Sequence, residues 1–252
     1  MDDFALLRYS RHILLKEMDM TGQEKINQGR VLLVGAGGLG SAASLYLAAA
    51  GVGHLVLCDG DEVDLTNLQR QVALRMTDLG HNKALATMGS VQAINPLVQV
   101  EGIPERLDAC RLDMLVANVD VVLDCTDNFE TRHAINRAVV HHRKPLVSGA
   151  AIRFDAQVTV FDLRDDKSAC YACLFPEEGQ DQEERCAIMG VFSPLVGIVG
   201  ATQAAEALKL LAGIGTSLKN RLLMLDALSM EWKQVRLQRD PACHVCGQPH
   251  AD

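Results

Sequence analysis

Basic residues are in the minority: 24 lysines and arginines face 32 aspartates and glutamates, for a formal net charge of -8. Proteins that grip nucleic acid generally need a basic surface to neutralise phosphates, so that class is excluded; a local cation cluster holding one nucleotide is not. An apolar leader is missing too. The stretch Met1 to Met20 carries Asp2, Asp3, Arg8, Arg11, Lys16 and Glu17 in place of a signal-peptide core, which predicts a cytoplasmic protein. Two uncharged runs, 31–53 and 187–205, approach the length of a membrane span. The first has a glycine-rich strand-turn-helix pattern, and Ser193, Pro194, Thr202 and Gln203 interrupt the second, so both read as buried segments rather than spans. Repeats and low-complexity stretches are absent. With 48% hydrophobic and 22% charged residues, the 252-residue chain can bury a substantial core.

The apolar pattern predicts alternating elements. A short amphipathic helix is expected over Phe4 to Leu15, with Phe4, Leu7, Ile13 and Leu14 as its apolar side. Strands are expected at 31–34, 54–58, 98–102, 121–125 and from Pro145. Helices are expected at 38–50, 82–94 (with Asn82 as N-cap) and 129–142. This alternation predicts an α/β fold: a mostly parallel sheet with helices on both faces. Beyond Gly149 the character shifts to strands at 157–163, 221–225 and 232–237 around a long helix at 195–211, a mixed, antiparallel C-terminal part. The acidic stretch Pro176–Arg185 reads as an exposed loop. One domain over 1–252 is expected: N-terminal helices over 1–29, a nucleotide-binding part over 30–150, and a metal-binding and docking part over 151–252.

The run Val31-Leu32-Leu33-Val34-Gly35-Ala36-Gly37-Gly38-Leu39-Gly40 places GxGxxG directly after a strand and at the opening of a helix. Glycines permit the tight turn and a close approach of backbone N–H groups to phosphate. Asp59 ends the next strand, where a carboxylate can accept from ribose hydroxyls. The pattern is Rossmann-like. The motif alone is weak, since such a turn can serve close helix–strand packing only, but strand, helix and acid all fall in place for a nucleotide, of which the usual one is NAD. Thr66, Asn67, Leu68, Gln69, Arg70 and Gln71 follow Asp59, then Lys83 at a helix start, then Asp127 and Asn128 after a strand. Cations in one crevice suit charge developing at a triphosphate, and a magnesium ion on Asp127 suits a departing pyrophosphate; hydride transfer needs neither.

Cysteine spacing carries a second message. Cys170-Tyr171-Ala172-Cys173 and Cys243-His244-Val245-Cys246 are both CxxC, and two such pairs can complete a tetrahedral zinc site with no open position, hence a structural one. A redox role is the alternative, but neither pair is expected to open a helix directly after a strand. His244 and His250 read as bystanders. Cys186 follows Arg185, which can lower a thiol pKa, so it is either a nucleophile or an incidental loop thiol. Cys58, Cys110 and Cys125 are expected to be packing residues.

Taken together, Arg8-Tyr9-Ser10-Arg11, the Gly35–Gly40 turn, Thr66 to Gln71, Cys125-Thr126-Asp127-Asn128, Ser148-Gly149-Ala150-Ala151-Ile152 and the two cysteine pairs resemble the ubiquitin-activating-enzyme-like adenylyltransferases of bacterial sulfur-carrier systems. The resemblance implies ATP as substrate, bound at Gly38, Asp59, Asn67, Arg70, Lys83, Asp127 and Asn128. It implies a partner that is a small ubiquitin-like sulfur carrier ending in Gly-Gly, from the molybdopterin pathway first and the thiamine pathway second. It also implies a homodimer in which Arg11 reaches the neighbouring subunit's nucleotide, so that Arg11, Arg70, Lys83 and Asp127 form the catalytic set. Cysteines placed like Cys186 link covalently to the carrier in some of these pathways. The sulfur itself is expected from a separate donor.

Overall fold

The computed structural model describes residues 1–177 and 189–247. Its frame is an eight-stranded sheet in the order β3-β2-β1-β4-β5-β6-β7-β8. Strands β1 (Arg30–Val34), β2 (His54–Cys58), β3 (Gln99–Ile103), β4 (Val121–Asp124) and β5 (Leu146–Ile152) run parallel. β6 (Asp155–Phe161), β7 (Arg221–Asp226) and β8 (Glu231–Arg236) continue the sheet antiparallel. The central strands are apolar on both sides because both sides are covered. Along β1, Val31 and Leu33 enter one core, and Leu32 and Val34 the other.

Helices α3 (Gly38–Ala50), α4 (Lys83–Ile94) and α8 (Ser193–Ala212) contribute to the first core; α5 (Ala109–Ala117), α6 (Phe129–His141) and the single turn α7 (Tyr171–Leu174) contribute to the second. The packing of α3 on α8 is close because glycine allows it: a Cβ on Gly200 would lie 2.3 Å from the Leu39 carbonyl oxygen. By length and composition α8 could cross a bilayer, yet half of its most apolar stretch is buried within the fold. Asp113 Oδ1 accepts from His141 Nδ1 and His142 Nε2, both at 2.9 Å, and so clamps the end of α6 to α5.

Several expectations need correction. Helix α1 (Asp3–Ile13) buries Ala5 and Tyr9, while Phe4, Leu7 and Leu14 are 59%, 76% and 75% exposed. Tyr9 sets this orientation: its ring occupies the space beside Gly51 and its hydroxyl accepts from Asn95 Nδ2 at 2.9 Å. Helix α5 was not anticipated, and α2 (Asp19–Gln28) was expected only as part of the N-terminal helices over 1–29, without bounds of its own. In α2 only Gly22, Gln23 and Ile26 are buried, too few to give an apolar period. Packing roles hold for Cys58 and Cys125 but not for Cys110, which is exposed on α5.

Gly40 tests how the turn between β1 and α3 is packed. A Cβ there would sit 1.9 Å from the Gly35 carbonyl oxygen, whereas a Cβ on Gly89, in α4, meets nothing within 4 Å. Gly40→Ala is expected to cost about 3 kcal/mol, a melting temperature lower by roughly 6–12 °C. Gly89→Ala should leave it unchanged or raise it. Equal shifts in thermal melts would contradict this account.

Candidate functional site

Strand order reverses direction at β1, which lies between β2 and β4, so a crevice opens at the carboxyl ends of β1 and β4. Gly35, at φ +95°, makes the edge of this crevice: a Cβ would lie 2.7 Å from the Cys125 carbonyl oxygen. Beyond it α3 starts at Gly38, and its N-cap Gly37 offers no side chain to the first-turn amides, which are left for a ligand. Gly38 rests on Val196 of α8, and Gly37 lies next to the Gln71 side chain.

Asp59 closes β2 and braces this turn. Its Oδ2 accepts from Ala36 N at 2.7 Å and its Oδ1 from Asp61 N at 2.9 Å. Burial pushes its carboxyl above the ordinary value, against the opposing pull of those two amides and of Lys83. Lys83, the first residue of α4, is not a free cation: Nζ lies 3.0 Å from Asp61 Oδ2, with the lysine side chain only 10% exposed. Asn82 fixes that start as expected, accepting from Ala84 N and Leu85 N. Arg106 reaches the other oxygen of Asp61 at 3.0 Å. Burial alone would raise the Asp61 carboxyl; Arg106 and Lys83 outweigh it and hold the group below its ordinary range.

The segment after β2 is folded by its own side chains. Asp64 Oδ1 accepts from Thr66 N and Oγ1, and Asn67 Oδ1 accepts from Asp64 N, a capping box on the short 3-10 turn Leu65–Asn67. Arg70 Nη1 donates to the Thr66 carbonyl at 3.1 Å. Ser193 Oγ donates to the Gln69 carbonyl, tying the segment to the start of α8; Leu68 is half-buried and Gln71 buried.

At the end of β4, Asp127 is exposed, while Asn128 caps α6 by accepting from Thr131 N at 2.9 Å. Beneath them lies a polar core. Asp124, 1% exposed, accepts from Ser148 Oγ, Thr126 N and Thr126 Oγ1, and faces Arg132 Nε at 3.7 Å. Burial disfavours the Arg132 charge, but Asp124 outweighs it and keeps the guanidinium above its ordinary pKa. Gln203 of α8 donates to the Asp124 and Val147 carbonyls at 2.7 and 3.2 Å.

Arg11 stands apart from this group. Helix α1 packs on the Gly51 end of α3, about 20 Å along that helix from Gly38. The cysteine pairs do converge. Sγ–Sγ distances are 3.9 Å for Cys170–Cys173, 3.6 Å for Cys170–Cys243 and 3.5 Å for Cys173–Cys246. A tetrahedral ion with bonds near 2.3 Å would set such edges at about 3.8 Å, so four thiolates fit around one zinc. The hydrogen bond with Cys170 draws the Cys173 thiol down to about 5, and the same bond, with burial, pushes Cys170 up. Cys170 caps the single turn α7, so this pair does open a helical turn, though not directly after a strand. The His244 ring lies 3.9 Å from Glu177. Cys186, His250 and most of the acidic loop lie outside the described residues.

Asp61, Arg106, Asp124, Arg132 and Gln203 were missed by reading the sequence. Asp124, a lone carboxylate closing an apolar strand, was the one signal available. The others acquire meaning only from partners distant along the chain.

The ThiF family model matches residues 9–245. The molybdopterin-synthase adenylyltransferase of Escherichia coli K12 is 43% identical, over 98% of this chain and 99% of its own. The sulfur carrier protein ThiS adenylyltransferase of the same organism is 42% identical, over 100% and 99%. Among solved structures, Escherichia coli MccB with ATP superposes with a TM-score of 0.83 at 25% identity, over 95% of this chain and 73% of that one.

The Asp61 pairs give an unequal expectation. Asp61→Ala leaves the largely buried Lys83 ammonium without its partner, at about 1–3 kcal/mol. Arg106→Ala, at an 86% exposed side chain, should leave the melting temperature unchanged. Because the folded carboxyl titrates lower than the unfolded one, the contribution is present above the unfolded pKa of about 3.9 and is lost as pH falls through the folded value. Melting curves of both variants at pH 7 and below pH 4 check the ranking.

Proposed function

This chain belongs to the ThiF family, and from that premise we propose that it uses ATP to adenylylate the C-terminal glycine carboxylate of a small ubiquitin-like sulfur carrier, foremost the small subunit of molybdopterin synthase. One observation carries the reading: an anion-ready helix start and a braced acid on β2 lie at the carboxyl ends of the parallel strands in a chain 43% identical to an adenylyltransferase over nearly its whole length.

A terminal carboxylate titrates near 3.5 and is ionised at neutral pH, so activation needs no general base. One carboxylate oxygen attacks the α-phosphorus. The new O–P bond forms as the bond to the bridging oxygen of the pyrophosphate breaks, and the electron pair leaves with pyrophosphate. The α3 amides at Gly38 receive phosphate oxygens, Asp59 receives the ribose hydroxyls, and Arg70 and Lys83 face the transferring charge. Thr66, Asn67, Leu68, Gln69 and Asn128 line the cleft. Asp127, an exposed carboxylate at a strand end, suits magnesium, which takes one or two carboxylates together with phosphate oxygens and would neutralise the leaving pyrophosphate. Catalysis is mainly positioning and electrostatics.

The family resemblance assigns Arg11 to a neighbouring subunit's crevice, and the packing of α1 at the far end of α3 within its own chain is compatible with that. An apolar surface fits a second copy: Phe4, Leu7, Leu14 and Leu15 are exposed, and a groove of about 430 Å³ lies beside Tyr46, Val72 and Ile94. The four cysteines would hold a structural zinc, which would pin the C-terminal segment to α7. The reaction is placed in the cytoplasm, where cysteines stay reduced.

The purified protein, ATP and each candidate carrier are to be mixed and the carrier weighed for added AMP. The thiamine-pathway carrier is the alternative outcome, because relatives of the two kinds stand at 43% and 42% identity. Arg70→Ala and Asp127→Ala should each lower carrier-dependent ATP–pyrophosphate exchange by about a hundredfold or more with unchanged melting; near-normal exchange in both would overturn the reading. Metal analysis should return one zinc per chain, lost in Cys246→Ser, and a metal-free wild-type protein would overturn that part.

A further inference from the structure

The geometry points to Arg132 as the positioning residue of this site, an arginine that touches no substrate but holds the Thr126–Asn128 segment, and with it Asp127, against β5. The inference rests on the Asp127 reading above and goes beyond it, because it concerns what aims that carboxylate.

Arg132 lies four residues beyond the cap of α6, one turn into the helix, so its side chain runs back under the loop that precedes the helix. Nη2 donates to the Thr126 carbonyl at 2.5 Å and reaches the Gly149 carbonyl at 3.5 Å. One planar group therefore bridges the residue preceding Asp127 and the neighbouring strand. The guanidinium is itself held: its side chain is 11% exposed, Asp124 Oδ2 lies 3.7 Å from Nε, the Phe129 ring is 6.0 Å away, and the buried Tyr171 hydroxyl lies in its field. Asp124 completes the circuit, accepting from Thr126 N and Oγ1 on the loop and from Ser148 Oγ on β5. Thr126 is thus gripped through its amide, hydroxyl and carbonyl. Asp127, next in the chain, makes no side-chain hydrogen bond of its own to the described residues, so its aim is inherited from Thr126 and Asn128.

A lysine in this place keeps a charge but has one nitrogen, which cannot stand beside Asp124 where Nε is and reach the Thr126 and Gly149 carbonyls where Nη2 is at the same time. A displacement of about 1 Å at a reacting centre can cost on the order of a hundredfold in rate. Arg132→Lys is expected to keep its melting temperature and its ATP dissociation constant within about threefold, while kcat for ATP–pyrophosphate exchange falls about ten- to a hundredfold at unchanged KM for ATP. Amide hydrogen exchange of the ligand-free protein supplies a readout apart from activity: uptake should rise in peptides covering residues 125–130 and not in those covering β1 and β2. Arg132→Met with Asp124→Asn removes both charges together and should show the same local pattern, which covers the case of a single variant that fails to fold. Asp127→Asn separates the two ideas. If it abolishes exchange while Arg132→Lys keeps full kcat and wild-type uptake, the positioning role is overturned. If Asp127→Asn is fully active, the Asp127 reading fails, and the uptake pattern alone then decides whether Arg132 orders the loop. A uniform rise in uptake with a lower melting temperature and unchanged kcat would show a purely structural arginine, and also overturns the proposal.

Discussion

The contact on which the rest depends is between two pieces of backbone. The Gly35 Cα faces the Cys125 carbonyl so closely that a methyl group would stand 2.7 Å from its oxygen, and Gly40 closes the same turn against Gly35. Because no side chain intervenes, the ends of β1 and β4 meet, and α3 begins where its amides are open. Asp59 reinforces the arrangement from β2 through Ala36 N. The crevice is thus a consequence of absent side chains, held in shape by one carboxylate. Its position follows from strand order, since a parallel sheet can open this way only where consecutive connections diverge.

Beneath the crevice the protein buries charge, against the general tendency of its core. Leu32, Leu33, Leu55, Leu57 and Leu123 are almost wholly apolar surroundings, yet Asp124 sits 1% exposed at the end of the same sheet. An isolated carboxylate there would be expensive. Arg132, Ser148 and Thr126 satisfy it, and Gln203 satisfies the adjoining carbonyls of Asp124 and Val147. Such a network adds little net stability over apolar packing, but it restricts the loop to one arrangement. A site that works by aiming charged groups has more use for that restriction than for extra stability.

How much of this was legible in the sequence depended on the range of each signal. Local signals read well: the strand at His54–Cys58, the Asn82 cap and the glycine turn declare themselves within a few residues. Convergence of the four cysteines was legible because two CxxC pairs together supply the four thiolates of one tetrahedral ion. Signals that need a distant partner were not. The outer side of α1 carries the larger apolar residues, so the helix reads inside out until Tyr9 is seen against Gly51 and Asn95. Lys83 reads as a free cation until Asp61, 22 residues earlier, is found beside it. Cys110 looks like core because apolar residues follow it, of which Leu112 and Val116 are buried; its own direction is set by the turn of the helix.

The Lys83–Asp61 pair bears on how such a crevice can wait for its ligand. A lysine side chain only 10% exposed would be costly to bury without a counter-charge. Asp61 supplies that counter-charge, and Arg106 binds Asp61 from the solvent side and, with Lys83, holds its carboxyl below the ordinary range. In the proposed reaction the Lys83 side chain is thus held in place before ATP arrives. This is preorganisation by a carboxylate that need never touch the ligand. It explains why an acid-rich stretch, Asp59 to Asp64, can border a site whose ligand is itself negative.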